Sequence, residues 1–143
     1  MAIEPGSIEH LSQIISHVVA PAFLLGAVAS FIATLITRMN GVLDRLRVIN
    51  ELPAQEHAKS KLKADIPRLK RRVALLHRSA ILAISSGVVA AVLIIVAFGS
   101  ALLAVTHVYS AAILFMLSLG LLCGSLVVFG MEVWIGLNEY DHH

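Results

Sequence analysis

Ser12, Ser16, Ser30, Thr34 and Thr37 fall in one sector of a helical wheel drawn at about 100° per residue, with Glu9 near one end of the row. Phe23, Gly26, Ala27 and Gly41 share that sector, and Arg45 lies at its edge beside Asp44. Hydroxyls and a carboxylate spaced along one wall can replace part of the hydration shell of a passing ion. An aromatic ring among them can close such a path by dewetting. On this reading Glu9, Ser12, Ser16, Phe23, Gly26, Ser30, Thr34 and Thr37 line a pore. A second reading uses the same residues. Ala22, Gly26, Ser30 and Thr34 step by four and form a small-residue ridge against which another helix can pack, while hydroxyls in a membrane helix can bond their own backbone carbonyls. Spacing alone leaves both open.

Near the other end of the chain, Glu132 closes a long apolar run, two residues before Trp134. A carboxylate at that depth must be paired or reach water. Arg38 or Arg78 is its natural partner, since both sit where the basic segment meets an apolar run. The expected charged set at the cytoplasmic face is Arg38, Asp44, Arg45, Arg78 and Glu132. His10 and His17 share a different helix face, on the side of Pro21, but two turns separate them by about 10.5 Å. That is too far to hold one metal within a chain. A ring of symmetry-related copies could share one, but the spacing is nonspecific and interfacial packing is the plainer expectation; a pH-sensing role for His17 is a further alternative. The lone Cys123 cannot form an intramolecular disulfide and is expected to pack as a small residue. The sequence has no HExxH, Walker loop, CxxC or glycine-rich phosphate loop, and no nucleophile–base pairing stands out. Neither enzyme activity, a cofactor nor a bound metal is expected.

A membrane is what must position these residues. Of 143 residues, 58% are hydrophobic and 14% charged, with a mean hydropathy of +0.87. A soluble chain of this length has too little interior to hide so much apolar surface. Apolar runs at 18–36, 81–105 and 111–131 reach the roughly 20 residues that a helix needs to cross hydrocarbon. The expected spans are 11–37, 80–105 and 110–134, within a single membrane domain over residues 1–143. The opening MAIEPGSIEH is acidic and the first run is too long for a signal core, so a cleaved signal peptide is not expected.

All eleven Lys and Arg lie from Arg38 to Arg78, and four acids among them leave that segment at +7. Basic loops stay in the cytoplasm. The charge pattern therefore predicts a multi-pass protein of the inner (plasma) membrane, with the N-terminus outside and the C-terminus cytoplasmic. Topology alone demands this charge, which argues against nucleic acid as a partner. Anionic lipid is a candidate contact.

Ser7 is the expected N-cap of the first helix, with Glu9 in its first turn. Pro21 should kink that helix and leave the His17 carbonyl without its usual donor. Leu35, Met39, Val42, Leu46 and Ile49 continue an apolar seam past the span, as far as Leu52-Pro53. A second helix should start near Asp65, with Pro67 in its first turn, and carry the seam Ile66, Leu69, Val73, Leu76 and Ala80 into the second span. Two facing seams predict an antiparallel helical hairpin over 38–79 that projects into the cytoplasm, with 53–64 as its polar tip. The five-residue link THVYS makes the second and third spans antiparallel neighbours. Ala83, Gly87 and Ala91, and likewise Gly120 and Gly124, form small-residue ridges for close helix contact. Three helices bury little, so a homo-oligomer, most simply a closed ring, is expected.

Three segments, ISHVVAPAFLLGAVASFIATLITRMNGVLDRLR, LKRRVALLHRSAILAISS and LLCGSLVVFGMEV, together resemble the bacterial domain of unknown function 2721 family. The likeness covers nearly the whole chain. It rests most on the early Ser-His and Ala-Pro pairs, on TRMNGVLDRLR, on the Arg-rich approach to the second span and on the late Glu. It implies a small three-helix membrane protein and supplies no activity and no catalytic residue. Gly41 stands where such proteins often have Arg, so that charge is absent here.

The fold class expected is all-α, with three transmembrane helices, the first two extended into a cytoplasmic hairpin. The function expected is a homo-oligomeric ion channel lined by the first helix. Glu9 would favour cations at the outer mouth, while Arg38 and Arg45 could favour anions inside; the lean is to cations. The alternative is a non-conducting scaffold or regulatory subunit whose hairpin binds a partner.

Overall fold

Helix α1 runs unbroken over Pro5–Glu51, α2 over Glu56–Leu102 and α3 over Val108–Tyr140. They come from a computed structural model that describes residues 5–51, 56–105 and 108–141, with the backbone alone for 5, 56–63 and 140. All three are long and apolar enough to cross a membrane. The expectations that fell on 53–55, on Thr106 and His107 of the link and on the terminal His142-His143 lie outside the described residues.

Two helix starts differ from expectation. α1 is already helical at Pro5, the first residue described, so Ser7 lies inside the helix and Glu9 beyond its first turn. α2 begins at Glu56, nine residues ahead of Asp65, and Pro67 is therefore interior. The intervening stretch HAKSKLKA is rich in strong helix formers, which carry the helix past the Asp65 cap. α1 is helical as far as Glu51, the last residue described before 56, and it passes through a buried Pro21.

The end of α2 is a Schellman cap. Val105 N–H donates to the Ser100 carbonyl at 3.1 Å and Ala104 N–H to that of Ala101 at 3.4 Å. The residue that must turn left-handed is Ala104, with φ of 54°. Glycine normally takes that place, because a Cβ is strained there.

α2 is the middle helix and packs on both neighbours. Towards α1 its buried residues recur every seven positions at Leu69, Leu76, Ala83 and Ala90, and α1 answers with Val42, Leu35 and Val28 at the same interval. This is the repeat of an antiparallel coiled coil. Leu35, Val42, Leu69, Leu76 and Ala83 form one cluster, flanked by Met39, Leu46, Ile49, Val73 and Ala80. The two apolar seams thus pack against each other. At Gly87 an added Cβ would stand 3.3 Å from Val28 Cγ1, so this glycine lets α1 approach. Gly124 faces Leu82, whereas Gly120 has no neighbour within 4 Å and its half of the ridge is unused within the chain. Cys123 is exposed, contrary to the packing expected of it. Large side chains such as Ile95, Ile113, Met116 and Val127 are exposed too, a surface suited to lipid.

Candidate functional site

The α2/α3 interface is polar in a way the apolar runs conceal. Ser79 Oγ donates to the Ser125 carbonyl at 2.8 Å, and Ser125 Oγ returns the bond to the Ser79 carbonyl at 2.7 Å. Seven residues further along α2 the arrangement repeats. Ser86 Oγ reaches the Ser118 carbonyl at 2.7 Å and Ser118 Oγ the Ser86 carbonyl at 2.8 Å. All four serines are fully buried. Hydroxyls bonded to an opposing backbone hold two helices close, where no hydrophobic effect drives them together.

One heptad in the other direction, the same line of positions holds Arg72 on α2 and Glu132 on α3. Glu132 is 0% exposed. Its Oε1 accepts from Arg72 Nε at 2.9 Å and its Oε2 from Arg38 Nε, on α1, at 2.8 Å. Arg72 Nη1 also donates to Glu139 Oε2 at 3.3 Å. Two arginines and two glutamates cancel, and one carboxylate joins all three helices. A buried ion pair is tolerable only with such complementary hydrogen bonds. Among the described residues, no buried side-chain nitrogen or oxygen lacks a partner.

Aromatic rings and a glycine shape the cluster. The Arg38 guanidinium stands 5.6 Å from the centre of the Phe129 ring, which meets Phe31 edge-on at 5.3 Å. Both contacts join α1 to α3. A Cβ at Gly136 would lie 3.2 Å from Arg72 Nη2, so a glycine there leaves room for the guanidinium.

Of the charged set named from sequence, Arg38 and Glu132 are brought together. Asp44, Arg45 and Arg78 are exposed and take no part in the ion pairs found among the described residues. Arg72 and Glu139 take part without having been singled out. The signal was the heptad: Arg72, Ser79 and Ser86 are seven apart, and Arg78 is one residue out of that phase.

The row on α1 lies elsewhere. Glu9, Ser12, Ser16, Phe23, Gly26, Ser30, Thr34 and Thr37 are all exposed in the single chain, Phe23 by 77%. Three of the hydroxyls turn back on their own helix: Ser16 to the Ser12 carbonyl, Thr34 to that of Ser30 and Thr37 to that of Ala33. The C-terminal half of the row forms one wall of a groove of about 820 Å³ between α1 and α3. Arg38, Arg45 and Arg72 line it, opposite Phe129, Val133, Leu137 and Glu139.

At the far end of the bundle a second cavity, of about 530 Å³, is lined by His10, His17 and Pro21 of α1 together with mostly small apolar residues of α2 and α3. Among the described residues, no group of three or more His, Cys, Asp or Glu could hold a metal.

A family model described as "Protein of unknown function (DUF2721)" matches residues 18–141. The chain belongs to the DUF2721 family. No curated protein and no solved structure matches it. The stretch shared with the DUF2721 model holds the Arg38–Glu132–Arg72 cluster, both serine pairs and the row from Phe23 to Thr37. Glu9, His10, Ser12, Ser16 and His17 precede it.

Proposed function

We propose that this DUF2721 protein assembles in the inner membrane as a closed homo-oligomeric ring and conducts ions along a path lined by α1. The observation that carries this reading is the exposed row from Glu9 to Thr37. It leaves a continuous polar or small face on the helix, interrupted by Phe23, that no other helix of the chain covers among the described residues, its Ser30, Thr34 and Thr37 bordering only the open groove toward α3. Facing lipid, such a row gains nothing. Facing a shared axis, it supplies hydroxyls at intervals and an aromatic constriction.

Cations are the favoured cargo. Glu9 stands at the outer mouth, and Arg38, one of two inner charges that would favour anions, is neutralised by Glu132 at 2.8 Å. The basic segment faces the cytoplasm, where α1 and α2 extend beyond the membrane as a hairpin, and the N-terminus is outside. Gly6→Cys should then react with an impermeant thiol reagent applied to intact cells, and Asn50→Cys should react only after lysis. The opposite labelling would reverse the topology.

Conduction is tested with purified protein in potassium-loaded vesicles, where the ring should release potassium and Phe23→Ala should speed the release. The second reading, a non-conducting scaffold, is favoured by the hydroxyls of Ser16, Thr34 and Thr37, which bond their own helix and need no water. No release from vesicles that hold a correctly assembled oligomer would favour the scaffold.

A further inference from the structure

We infer that the groove between α1 and α3 binds the phosphate of an anionic phospholipid, held by Arg38, Arg45 and Arg72. This rests on the orientation proposed above, which puts the groove at the inner membrane surface, and not on conduction.

Three guanidiniums reach this groove against two carboxylates, Glu132 and Glu139. Arg38 and Arg72 each direct two of their five N–H groups to carboxylates, which leaves donors over on both. Arg45 makes no ion pair among the described residues, so its whole fork is available. Planar guanidiniums that converge from two helices suit a phosphate, which accepts several charge-assisted hydrogen bonds at once. Glu139 also lines the groove and opposes an anion. Among the described residues its one ion pair is the 3.3 Å contact with Arg72 Nη1, which an incoming phosphate would compete for.

The other walls decide between a lipid and a free anion. One wall carries the hydroxyls of Ser30, Thr34 and Thr37, so a lipid here would border the path assigned to that row, while Ala33, Val42, Phe129, Val133 and Leu137 are apolar and lie on the membrane side of Arg45 along their helices. A soluble phosphate has no use for that surface, whereas a phospholipid can lay the upper part of its chains on it. The volume, about 820 Å³, lies within the range of small-molecule sites. Trp134, next to Val133, is 68% exposed, as suits a residue of the interfacial belt.

The test is lipid retention by the full chain in detergent, read by native mass spectrometry with phosphatidylglycerol and phosphatidylcholine supplied equally. Phosphatidylglycerol should be retained in preference. Arg45→Gln should weaken its retention about fivefold, the factor one basic residue near an anionic surface contributes. Arg47→Gln, outside the groove, should not. Gly41→Leu should abolish retention, because a Cβ at Gly41 meets nothing within 4 Å and the side chain would enter the groove. That change also replaces a poor helix former with a good one, so the variant should fold. Equal losses in Arg45→Gln and Arg47→Gln would show diffuse attraction and overturn the site. Inorganic phosphate that binds alone, with the same dependence on Arg45, would overturn the lipid assignment. A protein that retains phosphatidylglycerol but passes no ions would keep this site and lose the channel.

Discussion

Arg38 on the first helix and Arg72 on the second meet the same carboxylate of the third, Glu132, at 2.8 and 2.9 Å, in a position sealed from solvent. Among the described residues Glu132 is the one carboxylate paired with Arg38, whereas Arg72 also reaches Glu139. Removing its charge leaves two cations facing each other in a low-dielectric site. Glu132→Gln should therefore cost about 3–5 kcal/mol of stability. Arg72→Gln should cost more than Arg38→Gln, since the Arg72 side chain is 11% exposed and that of Arg38 37%. Thermal unfolding in one detergent gives the ranking. A Glu132→Gln protein that melts with the wild type would mean that the cluster holds nothing together.

The serine pairs predict a small effect and a large one. Ser125→Ala removes one donor, while the carbonyl it served keeps its own helical bond, so the loss should be about 0.5–1 kcal/mol. Ser86→Leu must push the backbones apart, and should cost about 1–3 kcal/mol or more. Unfolding by a graded denaturing detergent separates the two. Equal effects would mean that the helices are not in close contact there.

What the sequence made legible follows from the strength of each signal. The seam from Leu35 to Ile49 was readable because large apolar residues at helical spacing have few other uses outside a membrane run. The serine ladder was not. In an apolar helix each serine can bond its own carbonyl, as Ser85 does to Ile81 at 2.8 Å, so its type does not reveal its partner. Only the matching heptad on an antiparallel neighbour tells Ser79 and Ser86 from Ser85. The same phase selects Arg72 over Arg78, although Arg78 lies nearer the span. The early start of α2 was missed because Asp65 and Pro67 look like a helix beginning, and six strong helix formers in the eight residues ahead of Asp65 outweigh that local preference. The family match adds no role to any residue, so the reading of the α1 row stands on chemistry alone.

Packing between α1 and α2 predicts its own pattern of losses. Leu35 and Leu76 are 1% and 0% exposed within one cluster, and truncation of either to Ala should cost about 2–5 kcal/mol. The double variant should fall short of the sum, because the two cavities merge. Leu43, 40% exposed, should tolerate Ala within about 0.5 kcal/mol. Denaturation midpoints of the four variants check the set, and an effect at Leu43 as large as at Leu76 would contradict the arrangement.

One substitution should stabilise. Ala104 holds a left-handed φ of 54° at the cap of α2, and glycine relieves that strain. Ala104→Gly should raise stability by about 0.5–1 kcal/mol in the folded state, less whatever the unfolded chain gains in freedom. A fall in melting temperature would show that the turn is not left-handed.

The central claim is that the row on α1 faces a water-filled axis, and single-cysteine modification in a planar bilayer tests it most directly. Ser30→Cys and Thr34→Cys should react with a small charged thiol reagent and reduce the current. Ile36→Cys gives the control: this side chain is 46% exposed but lies off the row, where a lipid-facing thiol stays beyond the reagent's reach. Phe23→Ala should raise the basal current, because loss of the rings widens a dewetted constriction. Absence of current from assembled oligomers, with Ser30→Cys and Thr34→Cys as unreactive as Ile36→Cys, would contradict the channel and leave a scaffold.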